Sequence, residues 1–253
     1  MKFLKTTSAL ALAVLLAIAC TSNPKGDEAK VSEAEEVTEA KGMDLNVSSD
    51  EANMEFVGTK PTGRHYGNIA LSDGSITVKD GEVTGAKFVF DLDKITITDL
   101  EDDQESHQKL VGHLQSDDFF DAENHPKVTF ELVSMKSLDT DNTASNYDSY
   151  QDDMEQPAED EKIMELPDFE LEGATHEVTG NLTMRGKTLA ITIPAKVEVT
   201  DNGVKAFTNF SIDRTKWGLM YGDESQAVDK AKDKFIYNTV GIGFNIDAKA
   251  KNM

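Results

Sequence analysis

The sequence predicts an all-β domain, built as a single antiparallel up-and-down β-barrel of about eight strands with one or two short helices. From Met54 onward, apolar and polar residues alternate with a period of two, which places one face of each predicted strand against a core. Turn sequences rich in glycine and aspartate separate these strands, as in an antiparallel meander. Long strands joined by tight turns favour a closed barrel over a sandwich.

The N-terminus predicts export. Lys2 and Lys5 precede an apolar run ending at Ala19, which is too short to cross a bilayer and is typical of a signal peptide over residues 1–19. "LLAIAC" then ends at Cys20, the only cysteine of the chain, and resembles a lipobox, whose cysteine is acylated. The alternative is an ordinary signal peptide with an incidental cysteine. Two or three acyl chains suffice for stable anchoring.

We therefore expect a membrane-anchored lipoprotein, lying in the periplasm or at the outer membrane or cell surface of a Gram-negative bacterium. Residues 20–50 contain no aromatic side chain and are rich in Glu, Ser, Lys and Ala. Such a segment buries too little apolar surface to offset the entropy of ordering, so it is predicted to be a flexible acidic tether. The remaining residues, 51–250, are enough for one single-core domain.

Charge excludes one class of partner. The formal net charge is −22, and no basic patch offsets it, which argues against nucleic-acid binding. Residues 139–165 carry ten acidic residues and one lysine, too polar a composition for a core. This segment is predicted to be an acidic loop inserted between two strands of the barrel domain.

Each predicted strand carries a row of alternating apolar side chains. "GAKFVFDL", "KVTFELVS", "TLAITIPAKVEV" and "TVGIGFNIDAKA" show this alternation most clearly. The alternation identifies residues that share a face, but it leaves open whether that face encloses a cavity or a filled core. The candidate wall residues for a ligand are Phe88, Phe90, Phe130, Leu182, Ile191, Ile193, Phe210, Ile212 and Phe244.

The connections between strands carry hairpin chemistry. Two segments, 102–121 and 213–232, lack the alternation and are the candidates for helical structure. Tight turns are predicted at "SDG" (72–74), "KDG" (79–81), "RGK" (185–187) and "DNG" (201–203).

The stretch "HLQSDDFFDAENHPKVTF", residues 113–130, admits a catalytic interpretation. Asp117 and Asp121 lie four residues apart and His113 one helical turn earlier, so the three side chains would share a helix face. A carboxylate and histidine cluster of this kind can carry acid–base chemistry.

A structural interpretation of the same stretch is favoured. Ser116 is expected to cap a short helical turn whose acidic residues face water. Phe119 and Phe120 are then the side chains that are buried. Pro126 ends the turn, and a strand begins at Lys127.

The same stretch resembles the signature of the YceI-like, polyisoprenoid-binding family, in which H-L, a small polar pair, D-F-F and a proline before "tF" follow in this order. "VTGNLTMRGKTLAITIPAKVEV", "FSIDRTKWGLMYG" and "VGIGFNIDAKA" are similar to three further family segments in the same order. The resemblance covers about residues 52–136 and 174–250. The chain departs from the family at its acidic insertion and at Trp217, where phenylalanine is common.

The resemblance implies a lipocalin-like barrel, exported in bacteria, that holds a long-chain lipid such as a polyprenyl or quinone-type tail. The lipid is then the ligand of a protein without enzymatic activity, metal or other cofactor. Because a cavity excludes water, the tail is expected inside and a charged headgroup at the mouth. The residues expected to close one end or to meet the headgroup are Phe119, Phe120, Trp217, His113, Arg185 and Arg214.

Three functions are thus weighed. The favoured one is a lipid binder for transport or storage. The second is an enzyme that acts on a lipid through the His113 region. The third is an envelope protein with a filled barrel, whose acidic insertion binds divalent ions or a cationic partner. A homodimer is left open.

Overall fold

The computed structural model describes residues 28–47, 49–50, 52–138, 171, 173–227 and 235–249. The strands are β1 (Lys30–Glu33), β2 (Met43–Asn46), β3 (Ala52–Lys60), β4 (Gly63–Lys79), β5 (Glu82–Ile97), β6 (Lys127–Ser137), β7 (His176–Met184), β8 (Lys187–Thr200), β9 (Gly203–Asp213) and β10 (Thr239–Lys249). Helix α1 (Gln104–Gln115) lies between β5 and β6, and 3-10 turns occur at Thr98–Leu100, Arg214–Trp217 and Glu224–Gln226. No helix in the described part of the chain has the length and apolar character that a membrane span requires.

Strands β3 to β10 form a closed antiparallel barrel. Each strand pairs with the next one along the chain, and β10 pairs with β3 to close the ring. The register pairs Phe244 with Met54 and Ile242 with Phe210, so the alternating apolar residues of neighbouring strands share the inner face. The predicted up-and-down barrel is confirmed.

The barrel has two distinct ends. The upper end carries the β3–β4 and β7–β8 hairpins, helix α1 and the β9–β10 connection. The lower end carries the β4–β5 and β8–β9 hairpins and the β6–β7 connection. At the lower end the amide of Leu138 donates to the carbonyl of Thr175, 2.8 Å away, so the chain leaves and rejoins the barrel there. The acidic insertion itself, 139–165, lies outside the described residues.

The tether predicted over residues 20–50 was wrong for its described part. Strand β1 pairs antiparallel with β8, with Val31 opposite Ile191, and the amide of Ala29 donates to Ser211 of β9 at 2.9 Å. Strands β8 and β9 pair only from Lys196 onward to the lower end, so β1 fills the gap where they diverge. The low average hydropathy of this segment gave no indication of its order. Its backbone pairs with an open strand edge, so its order does not depend on apolar burial alone.

The chain then crosses the outer face of the barrel. Glu35 and Asn181 exchange two hydrogen bonds: the Glu35 amide donates to Asn181 Oδ1 at 3.0 Å, and Asn181 Nδ2 donates to the Glu35 carbonyl at 2.7 Å. Farther along, the hydroxyl of Thr84 donates to the carbonyl of Lys41 at 3.2 Å. Strand β2 then pairs with β4. Residues 28–47 therefore form a belt on the barrel.

Three of the four predicted hairpins occur at the expected turns. The exception is "SDG" at 72–74, which lies inside β4, where the register with β5 shifts between Leu71 and Asp73. A Cβ on Gly74 would lie only 3.0 to 3.3 Å from atoms of Leu71, Val47 and Phe88. Glycine here permits close packing at a β-bulge rather than a chain reversal.

The two predicted helical segments differ in outcome. Within 102–121, α1 begins after Asp103, whose carboxylate accepts from the Ser106 amide at 3.1 Å. Ser116 ends this helix instead of capping a new turn, so its predicted N-cap role was wrong. The described part of 213–232 contains two 3-10 turns and no α-helix, because left-handed glycines interrupt it.

A cluster of phenylalanine rings fills the middle of the barrel. Phe244 stacks on Phe90 with ring centroids 5.6 Å apart, and it also contacts Phe130 at 5.4 Å and Phe210 at 5.9 Å. We call these four residues the central cluster. Because they come from four different strands, the centre of the barrel is a packed core and not an open channel.

Candidate functional site

A cavity of about 680 Å³ lies between the central cluster and the upper end of the barrel. Its size falls within the range of roughly 300–1,000 Å³ that is typical of small-molecule sites. Strands β3, β4, β9 and β10, helix α1 and the β9–β10 connection supply the walls. The wall is mostly apolar and includes Met54, Phe56, Ile69, Met184, Ile212 and Ile242.

The predicted ligand residues divide into three groups. Those on the wall of this cavity are His113, Phe119, Phe120, Ile212 and Arg214. Those around a second void of about 70 Å³, near the lower end, are Phe88, Phe130, Ile193 and Phe244. Those that line neither space and are packed in the core are Phe90, Leu182, Ile191, Phe210 and Trp217.

Sequence reasoning missed part of the cavity wall. Gly58 lies on β3, and a Cβ built there would meet no atom within 4 Å, so this position faces open space inside the cavity. The alternation of Met54 and Phe56 along β3 could have indicated the inner face of this strand. Tyr221 also lines the cavity. It belongs to the "WGLMYG" segment, and the composition of that segment does not predict a place at the cavity rim.

Arg214 is the main charged group of the wall, and it is almost fully buried, with 2% of its surface exposed. Its Nε donates to the Tyr237 carbonyl at 3.2 Å and its Nη2 to the Ile236 carbonyl at 3.1 Å, while Nη1 donates to the Leu219 carbonyl. The guanidinium also lies over the Phe119 ring, 5.7 Å from the centroid. Two of its five N–H groups have no hydrogen-bond acceptor in the described part of the chain.

The charge of Arg214 has no direct counter-ion within the described ranges, where no carboxylate oxygen lies within 4.0 Å of it. Burial lowers the pKa of this guanidinium, and the more distant carboxylates of Asp223, Asp213 and Glu224 oppose that shift. An arginine stays protonated in a protein at physiological pH. The cavity wall therefore carries a desolvated positive charge.

Asp223 supports the loop around Arg214. It accepts hydrogen bonds from Asn238 Nδ2 at 2.7 Å and from the amide and hydroxyl of Ser225 at 2.9 and 2.7 Å. These hydrogen bonds lower the pKa of Asp223 to about 2, and the bond from Asn238 makes the largest contribution. The carboxylate thus ties the two sides of the β9–β10 connection together.

His113 does not form the acid–base cluster of the alternative, catalytic interpretation. Its ring packs edge-on against Tyr221, with centroids 4.5 Å apart. Asp121 instead accepts from Asn124 Nδ2 at 2.8 Å, and in the part of the chain that the structure describes no hydrogen bond or ion pair joins His113 to Asp117 or Asp121. Helix α1 ends at Gln115, so the two aspartates follow a chain reversal instead of a continuous helix face.

The remaining predicted polar and aromatic residues have structural partners. Arg185, at the β7–β8 hairpin, donates from Nη1 to the carbonyl of Phe119 and does not line the cavity. The Trp217 indole donates to the carbonyl of Leu182 at 3.0 Å and lies in the core. Phe120 lines the cavity because a hydrogen bond from its amide to the Leu114 carbonyl, at 3.0 Å, folds the chain back onto α1. Ligand contact by these residues stays a prediction.

The sequence profile of the YceI-like domain matches residues 45–248, well over half of the 253-residue chain. The chain belongs to the YceI-like family. No curated protein matches this YceI-like chain significantly. The described part of the chain also contains no cluster of three or more His, Cys, Asp or Glu side chains with the geometry of a metal site.

Solved structures share the YceI-like fold at low identity. Burkholderia cenocepacia BcnA is 17% identical, with 81% of this chain and 99% of that chain covered and a TM-score of 0.51. A polyisoprenoid-binding domain from Saccharophagus degradans is 14% identical, with 83% and 99% covered and a TM-score of 0.52. At these identities the likeness concerns the fold alone.

Proposed function

We propose that this YceI-like protein is an exported, membrane-tethered lipid binder and not an enzyme. It holds the tail of a long-chain isoprenoid, quinone-like or fatty amphiphile in the upper cavity, for transport or storage. The observation that carries the proposal is the apolar cavity of about 680 Å³ with the buried guanidinium of Arg214 on its wall. The polyisoprenoid-binding domain that shares the fold supports the ligand class.

The cavity wall supplies the affinity for a tail. Each Å² of tail surface that leaves water for this wall contributes about 25 cal/mol. The central cluster limits how deep a tail can reach, because it closes the barrel below Met54 and Ile69. A tail longer than the cavity must fold back or extend out of the upper end.

Arg214 supplies selectivity for the headgroup. It lies directly after β9, at the upper end, and two of its five N–H groups have no acceptor among the described residues. A phosphate, carboxylate or quinone oxygen can accept both, and an anionic group would also neutralise the desolvated charge. This arrangement supports a headgroup near the mouth with the tail inside.

The cellular address is part of the proposal. The signal peptide predicted over residues 1–19 and the lipobox-like position of Cys20 support export and acylation in the envelope of a Gram-negative bacterium. Mass spectrometry of protein from the membrane fraction tests this, since acylation adds the mass of the acyl chains to Cys20. Cys20→Ser should release the protein from membranes. A mature N-terminus elsewhere, without added mass, would contradict the anchor.

Native mass spectrometry tests the binding function. Residues 21–253 are expressed with an export signal that lacks the lipidation cysteine and are purified without detergent. We expect one co-purifying long-chain lipid per barrel, which organic extraction then identifies. Protein that is always empty, and that also takes up no added polyprenyl or quinone lipid, would contradict the proposed function.

A further inference from the structure

Two of the best-exposed large apolar side chains belong to consecutive residues of a segment that contributes to the cavity wall. In the described part of the chain, the large hydrophobic residues with high exposure are Met43 (58%), Met220 (50%) and Tyr221 (46%). Met220 and Tyr221 belong to the segment Gly218–Gly222, which we call the rim loop, and Tyr221 lines the cavity. A single exposed methionine is ordinary, but an apolar pair at the entrance of an apolar cavity suggests an apolar partner.

The rim loop is held in place by its own contacts. Gly218 and Gly222 both adopt left-handed conformations, with φ of 84° and 59°, and form the two ends of the loop. Leu219 is buried in the cavity wall, and its carbonyl accepts from the Arg214 guanidinium. Tyr221 packs on the His113 ring. Met220, which is half exposed and does not line the cavity, therefore belongs to a loop that its neighbours hold in place.

The N-terminal segment attaches near this rim. Glu28 forms a parallel bridge with Ser211, two residues before β9 ends at Asp213, so the chain enters the bridge from the side of the lower end and runs toward the rim. Glu28 lies only eight residues after Cys20. At most about 3.6 Å per residue, this segment spans no more than about 29 Å. A free tether to residue 50 would have reached more than three times as far.

This reach is long enough for the rim to meet the membrane. From Ser211 to the lower end of β9 at Gly203 there are eight residues, or about 27 Å of strand. A chain anchored at Cys20 therefore reaches the lower end only when it is almost fully extended, whereas it reaches the rim with length to spare. An anchor at Cys20 therefore keeps Glu28 within about 29 Å of the membrane, a distance that lets the rim contact it.

The charge distribution favours an upper end that faces the membrane, and it limits the kind of membrane that fits. The acidic insertion, with ten acidic residues, joins the barrel at Leu138 and Thr175 of the lower end. An upper end turned toward the bilayer directs these charges away from it. The formal net charge of −22 still repels an anionic surface. A zwitterionic surface, which carries no net charge, avoids this repulsion.

We propose that the rim loop docks on the surface of a zwitterionic phospholipid bilayer, with Met220 and Tyr221 at the interface between headgroups and acyl chains. Tyrosine favours this interface because its ring is apolar and its hydroxyl is polar, and the flexible methionine adapts to disordered lipid. The cavity then opens against the bilayer, so a lipid can enter or leave without crossing water. This inference rests on the proposed lipid-binding function.

Two variants that each add one tryptophan test the docking. Met220→Trp places an indole on the rim loop, and Met43→Trp, the matched control, places one at an equally exposed position next to the lower end. The native Trp217 is 1% exposed and gives the same background in both proteins. Cys20 is the only thiol, so residues 20–253 can be coupled through it to maleimide lipid in phosphatidylcholine vesicles. This coupling attaches Cys20 to the vesicle surface, as acylation would, but does not require the protein to be acylated.

The readout is quenching of the added indole by phosphatidylcholine that is brominated near the top of its acyl chains. We expect roughly twofold or more quenching in the Met220→Trp protein relative to the Met43→Trp protein. Equal quenching of the two variants, or none in either, would overturn the docking. Stronger quenching on anionic than on neutral vesicles would overturn the choice of a neutral surface. Native mass spectrometry of the same proteins measures lipid occupancy separately. A protein that docks on vesicles but never contains lipid would contradict the proposed lipid-binding function and leave the docking intact.

Discussion

Gly58 offers a direct way to close the upper cavity without disturbing the barrel. It lies on the inner face of β3, opposite His65 on β4, and a Cβ at this position would meet no atom within 4 Å. Its φ is not in the left-handed region, so a side chain introduces no backbone strain. Gly58→Phe should therefore place a ring in the space that the lipid tail would occupy.

The size of the effect follows from surface area. A buried phenylalanine ring covers about 150 Å² or more, and at about 25 cal/mol per Å² a tail that loses this contact area loses up to about 4 kcal/mol of binding free energy. That corresponds to an increase in Kd of almost three orders of magnitude. This value is an upper limit, because a tail can shift along the 680 Å³ cavity and recover part of the contact.

Gly58→Ala is the matched control. Its methyl group meets open space, and replacing glycine inside a strand by alanine should raise the free energy of unfolding by about 0.5–1 kcal/mol. Urea denaturation should show that both variants are at least as stable as the wild type. Lipid titration followed by native mass spectrometry should show near-normal binding for Gly58→Ala and a large loss for Gly58→Phe. A folded Gly58→Phe protein that binds the lipid as tightly as the wild type would refute the assignment of this cavity.

Three further predictions concern the residues around the cavity. Arg214→Gln should lower the free energy of unfolding by about 3 kcal/mol or more, because three carbonyls lose a charged donor; an unchanged urea midpoint would contradict this. Trp217→Phe should cost about 1–3 kcal/mol of stability, because the Leu182 carbonyl loses its partner, yet lipid occupancy should not change, since Trp217 lies outside the cavity wall. Asp223 has a pKa lowered from 3.8 to about 2, so its carboxylate stabilises the fold above pH 3.8 and this contribution is lost as the pH falls toward 2. The stability difference between the wild type and Asp223→Asn, measured by denaturation at each pH, should thus be constant above about pH 4 and shrink below it; a constant difference down to pH 2 would contradict the lowered pKa.

Local patterns were sufficient to predict the strands and most of their connections. Side chains of a strand alternate between its two faces, so Phe88 and Phe90 had to share a face wherever the strand lay. Asp80 and Gly81 adopt positive φ, as a tight hairpin requires, and this preference is a property of the residues themselves. Such signals depend on near neighbours in the chain, and for that reason they are readable without the fold.

The belt and the bulge show where local signals mislead. Residues 28–47 have the composition of a free linker, but the edge of β8 offers unpaired backbone groups that order β1. Gly74 belongs to a sequence typical of a tight turn. In the structure it lies inside β4, where Val47 and Phe88 pack closely against it. In both cases the deciding partner lies far away along the chain.

The sequence by itself determined the barrel, its family and the predicted address of the N-terminus, because alternation, turn chemistry and the signal segment are all local features. Only the tertiary structure decided which end of the barrel is hollow. Phe90 and Ile212 are equally apolar and equally inward, yet the first fills the centre and the second lines the cavity. Whether space remains depends on the summed volumes of side chains from different strands, such as the rings around Phe244 and the missing side chain at Gly58.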